Sequence, residues 1–168
     1  MSTDTIMALG DDQLASQFKI IFPGGIPGGG NTDAISLRMD QSFDPPEDVI
    51  ERYEIIYKGM KIPKTTKTHG MTKEIQLTVR LDQQWKVFDD LNNWYKLCYD
   101  PINAVAMPDL MTRTDVIFQA EDGQNSVVKN IRFKGAKIVS LKIESFEHSS
   151  TDPSRLTLTL IFNDMIPE

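Results

Sequence analysis

Ile75, Leu77, Val79 and Leu81 alternate with Gln76, Thr78 and Arg80, and Leu156, Leu158, Leu160 and Phe162 alternate with Thr157, Thr159 and Ile161. A period of two sends every second side chain to one face, so each run predicts a strand with one buried face. Shorter β-prone runs occur at 18–22, stopped by Pro23, at 116–119 and at 127–133, and 138–143 alternates as well. Residues 35–39 also alternate and are expected to form a half-buried strand. The bulky, β-branched segment from Val49 to Lys64 favours strand as well, with Gly59 as a turn or bulge. Asp122-Gly123 marks a hairpin turn, because glycine permits positive φ. Roughly seven or eight strands of this spacing predict a mainly β chain, a sandwich or barrel, and not a βαβ sheet.

One segment carries a different period. From Trp85 through Phe88, Leu91, Trp94 or Tyr95 to Cys98, apolar residues recur every three or four positions, which predicts an amphipathic helix of roughly 15 residues. Asp82 is its expected N-cap and Asp100-Pro101 its end. Trp85, Phe88, Leu91 and Trp94 form its expected core face, sealing one side of the sheet. Residues 1–17 are polar and aperiodic and are expected to be a terminal arm ahead of a single domain spanning 18–168.

Two other stretches stand outside both periods. Gly24 to Gly30 is expected to be a flexible loop or spacer, and it lacks the lysine that a phosphate-cradling loop supplies. Lys61, Lys64 and Lys67, interleaved with threonines up to Gly70, suit an exposed loop or hairpin tip. They would dock on an acidic neighbour or hold phosphate, although no aromatic residue interleaves them beyond Tyr57.

Candidates for chemistry are sparse. His69 and His148 fall in expected loops with no second ligand at metal spacing. Cys98 is the only cysteine, so an intrachain disulfide is excluded, and on an apolar helical stripe a free thiol is expected in the core. Glu144, Glu147 and Asp152 depart from the calcium-loop pattern and are expected to be solvated turn acids. No catalytic, metal or cofactor site is expected. Of the 168 residues 40% are hydrophobic and 25% charged, and the net charge of −6 argues against tight sequence-independent nucleic-acid binding. No run reaches the length of a membrane span, and the first ten residues do not resemble a signal peptide.

The order of elements resembles the tail tube protein family of contractile-tailed phages, itself similar in fold to the type VI secretion tube protein. The residues that carry the resemblance begin with the opening strand at 18–22, Pro46-x-x-Val49 and Tyr57-x-Gly59. Ile75-x-Leu77-Thr78-Val79 followed by Asp82, and Phe88 with Trp94, continue it. Ile131-x-Phe133-x-Gly135 and the closing strand at 156–162 complete it. The resemblance implies a non-enzymatic subunit of a ring-forming, tail-tube-like fold, polymerising as stacked hexameric rings. A long hairpin at about 45–70 would reach the neighbouring subunit or ring, with Tyr57, Gly59, Lys61, Lys64 and Lys67 as inter-subunit candidates.

The same resemblance implies the partners: further copies of the chain, the tail sheath protein, the tape-measure protein, and baseplate and tail terminator proteins. DNA would pass through the tube without specific binding, in a virion tail assembled in the bacterial cytoplasm. Asp40, Asp44, Glu47 and Asp48 are candidates for an acidic lumen that repels phosphate. A baseplate tube initiator or a type VI-like secretion tube subunit fits the same pattern, and a ligand-binding β-barrel is the alternative of another class.

Overall fold

The protein was analysed as a computed structural model, which describes residues 12, 16–39, 43–70 and 72–168. Most of the expected arm at 1–17 lies outside the described residues, as does Asp40. In chain order the elements are β1 (Phe18–Ile21), α1 (Thr32–Arg38), β2 (Ile50–Tyr57), β3 (Met60–His69), β4 (Glu74–Arg80) and α2 (Lys86–Cys98). They continue with α3 (Asp109–Thr112), β5 (Thr114–Glu121), β6 (Val127–Ile143), β7 (Arg155–Ile161) and β8 (Asp164–Pro167). The architecture is mainly β.

The two alternating runs pair with each other. Ile75, Leu77 and Val79 of β4 stand opposite Leu160, Leu158 and Leu156 of β7, and all six side chains are buried. Antiparallel pairing places opposite residues on the same face, so the alternation becomes a two-strand apolar surface. The full sheet runs β1-β5-β6-β7-β4, with β8 also on β6. Its two end strands, β1 and β4, are both contacted by α1. The path therefore closes through α1 into a barrel-like wrap, and side chains from both arms share one core with α2.

β6 makes this wrap possible. Its first half pairs with β5 and β8 and its second half with β7. The break expected after Phe133 is instead a bend inside one continuous strand. Gly135 sits there at φ 67°, and a Cβ added to it would lie 2.6 Å from Nδ2 of Asn163. Only glycine fits both the backbone angle and the space.

Several expectations are corrected. Residues 35–39 are not a strand: most of them lie in α1. Asn31 caps this helix, its side chain accepting from the Ala34 N–H at 3.1 Å, while Asp33 and Arg38 occupy its first and last turns, as the helix dipole favours. Ile35 is buried in the core while Leu37 is 73% exposed; burial of both was the basis of the strand reading.

α2 begins at Lys86, one turn later than expected. Asp82 still serves it, its carboxylate accepting from the Val87 N–H at 3.3 Å, but the residue at the helix entry is Trp85, in the left-handed region at φ 59°. The buried stripe is Val87, Leu91, Trp94 and Cys98. Trp85 and Phe88 pack partly buried at its edge. The Gly-rich segment is docked along this helix, with Ile26 buried and Gly28 and Gly30 placed against Leu97 and Asp90.

Candidate assembly surfaces

β2 and β3 form a separate two-stranded sheet. Lys58 and Gly59 join them, both with positive φ, the conformation of a tight hairpin turn whose twist matches the strands. This corrects the expected tip: the run with Lys61, Lys64 and Lys67 is strand β3, and the turn precedes it. Lys-rich and Thr-rich sequence looked like loop because β3 carries its charges on a strand that is wet on both sides.

Cross-strand register sorts the side chains. Tyr53 faces Lys64, Ile55 faces Ile62 and Tyr57 faces Met60, so these six share one face, five of them apolar. Glu54, Ile56, Lys61 and Pro63 occupy the other. Tyr53, Ile55, Tyr57, Met60 and Ile62 are all exposed, since no other helix or strand among the described residues packs on the hairpin beyond isolated contacts. A two-stranded hairpin standing alone in water is marginal. Five exposed apolar side chains gathered on one face are more than the singly scattered apolar residues of an ordinary surface.

The hairpin also separates charge. Between positions 50 and 69 lie Arg52, Lys58, Lys61, Lys64 and Lys67 against Glu51 and Glu54, a balance of +3, which leaves −9 on the rest of a chain whose total is −6. Further exposed apolar side chains, Ile102, Leu110 and Met111 among them, lie in the α2-to-β5 connection.

The groups weighed for chemistry do not converge. Among the described residues no three of His, Cys, Asp and Glu come together as a metal-holding group. Cys98 is buried, and that burial pushes its thiol above the ordinary value. The side chain of His69 lies outside the described residues, and His148 is exposed in the loop between β6 and β7. Glu144 accepts a 2.6 Å hydrogen bond from the Thr157 hydroxyl. Asp44, Glu47 and Asp48 are exposed on the segment that leads into β2.

The best-organised polar cluster supports the fold. Asp109 accepts from Lys137 at 2.9 Å and from Arg113 at 3.3 Å. The hydrogen bond from Lys137, then that from Arg113, hold its carboxyl below the usual aspartate value. Arg113 also donates to the Gly135 carbonyl at 2.7 Å and to Asn163 Oδ1 at 3.0 Å, bracing the bend in β6.

No family model and no curated protein sequence matches this chain. Solved structures do match across almost all of it. A chain of the sheath/tube terminator of an extracellular contractile injection system (PVC) in its extended state aligns over 95% of this chain and 99% of its own, with a TM-score of 0.67 at 15% identity. The tube-terminating cap of the anti-feeding prophage aligns over 95% and 92%, with a TM-score of 0.65 at 13% identity. A chain of the PVC sheath-tube complex aligns over 100% and 98%, with a TM-score of 0.61 at 16% identity. The fold is the contractile tail tube-like fold. At these identities the side chains differ almost throughout, so the likeness lies in the path of the backbone.

Proposed function

We propose that this chain is a non-enzymatic structural subunit of a contractile-type tube, closing with copies of itself into rings that stack around a channel. The observation that carries this reading is the basic hairpin whose apolar face, Tyr53, Ile55, Tyr57, Met60 and Ile62, no part of the described chain covers. Burying each such side chain is worth about 1.5–3 kcal/mol. Among the described residues β1 is an end strand of the sheet, an edge of the kind that ring closure would pair. Fold-mates taken from sheath-tube and terminator assemblies support the same reading.

Hexameric rings, a contractile sheath outside, and tape-measure protein and DNA inside follow from the resemblance to phage tail tubes. Baseplate and terminator proteins would meet the two ends of such a tube, in a virion tail. The exposed acids Asp44, Glu47 and Asp48 would then serve to repel phosphate if they line the channel.

Negative-stain electron microscopy of the purified chain across a concentration series tests the reading. Hollow filaments are expected from a tube subunit, and isolated rings from an initiator or terminator. A monomer at every concentration, with and without tube-end partners, would overturn it in favour of a ligand-binding barrel.

A further inference from the structure

The loop between β6 and β7, residues 144–154, has a chemistry the hairpin lacks. It carries Glu144, Glu147 and Asp152 and no lysine or arginine, a balance of −3 against the +3 of the hairpin. Arg155, at the first position of β7, stands opposite Arg80 of β4, so two arginines flank the acidic loop at its root. Within the acidic loop Phe146 is 62% exposed, yet it is not loose. Its ring stacks on Trp85 at 6.2 Å and 11°, and Trp85 is in turn packed edge-on against Phe88 at 5.3 Å. Trp85 is held there in a left-handed backbone conformation that a bulky residue rarely adopts. The loop, with Thr78, Arg155 and Thr157, borders an open hollow of about 540 Å³.

Topology puts this loop at the far end of β4 from the root of the hairpin. The hairpin closes where the Gly70 N–H meets the Val49 carbonyl at 2.7 Å, four residues before β4 begins. Glu74 at that end of β4 pairs with Ile161, and Arg80 at the other end pairs with Arg155. The Leu81 N–H then bonds the Ser154 carbonyl at 2.9 Å, in the acidic loop itself. The length of β4, about 20 Å at 3.3 Å per residue, therefore separates the two features. A basic, apolar-faced hairpin rooted at one end of β4 and an acidic loop with an exposed aromatic ring at the other have the complementary chemistry that a head-to-tail contact between copies needs. Repeating such a contact builds an open stack instead of a closed dimer.

We propose that residues 144–154, with Phe146 floored by Trp85, are the seat for the hairpin of a second copy of this chain in the next ring. The proposal rests on the ring-and-tube reading above and adds to it the receiving surface. Each contact is small, and a ring presents several at once, so stacking is steep in the strength of one contact.

Charge reversal tests it with the full chain. K58E/K64E takes the hairpin from +3 to −1, and E147K/D152K takes the loop from −3 to +1; all four positions are exposed, and circular dichroism checks that both variants fold. Each variant alone is expected to need more than about tenfold higher concentration than wild type to sediment as stacks, because like charges then face each other. An equimolar mixture of separately assembled rings of the two should stack again, since rings that alternate bring each hairpin onto a loop of opposite sign. Stacking of E147K/D152K as readily as wild type would overturn the proposal while leaving the tube reading intact, the loop then facing a different protein. Failure of the mixture to recover would overturn it equally. A wild-type chain that never leaves the monomer would remove both this proposal and the reading beneath it.

Discussion

Gly135 shows how one residue sets the course of a strand. Its φ of 67° costs an L-residue about 1–2 kcal/mol, and the Asn163 side chain that would meet a new Cβ cannot swing clear without losing its bond from Arg113. Gly135→Ala should therefore destabilise the chain by about 1–3 kcal/mol, measured by denaturant unfolding, while an alanine at half-buried Gly25, which shares a positive φ of 74° but where a Cβ meets nothing, should cost less by the steric part alone. Asp109 acts through charge instead. Its pKa is lowered, by Lys137 first and Arg113 second, so the native state favours its ionised form. The stability this contributes is fully present above the ordinary aspartate value of about 3.9 and is lost as pH falls through the lowered native value. The stability gap between wild type and Asp109→Asn should thus close in that acid window and reopen at neutral pH, read from urea midpoints across a pH series. A gap of constant size would assign the effect to packing.

At the scale of elements, the hairpin is separable from the body in a way no other strand among the described residues is. Val49 and Gly70 are already joined by a backbone hydrogen bond, so replacing residues 50–69 with a short Gly-containing turn leaves the body's ends where they are. That deletion should keep the melting temperature within a few degrees of wild type, since it removes almost no buried area, and should abolish self-association in sedimentation. A large drop in melting temperature would mean the hairpin supports the body after all. Legibility followed the same division between elements that bury one face and elements that do not. β4 and β7 were readable because Ile75 to Val79 and Leu156 to Leu160 each present one apolar face to a single core. α1 was not, because Ile35, Leu37 and Met39 mimic alternation by coincidence of composition, and its cap, Asn31, is hidden behind a glycine run. β6 looked like two strands because a glycine that bends a strand and one that ends it are the same letter. β3 looked like a loop because alternation cannot show where no face is buried; pairing it across Lys58-Gly59 against β2 is what brings Tyr53, Ile55, Tyr57, Met60 and Ile62 together. The acids at 144–152 were visible as residues, but their place at the far end of β4 from the hairpin is a property of topology that spacing along the chain does not carry.

For the whole molecule the decisive quantity is the separation of +3 on the hairpin from −9 on the remainder, within a chain of net charge −6. Copies of a uniformly acidic protein repel one another, and salt, by screening that repulsion, would promote their association. Copies that meet through opposite charges behave in the reverse sense. Screening shortens from a Debye length of about 10 Å at 0.1 M salt to about 3 Å at 1 M, so contacts between exposed lysines and acids weaken over that range while the burial of Tyr57, Met60 and Ile62 does not. The concentration at which assemblies appear in light scattering should therefore rise several-fold between about 0.1 M and 1 M sodium chloride without assembly being lost. Sodium sulfate at matched ionic strength should lower it again, because excluded sulfate strengthens apolar burial. Assembly that instead grows steadily with sodium chloride would mean that the apolar face alone drives it and that the hairpin's lysines serve another contact.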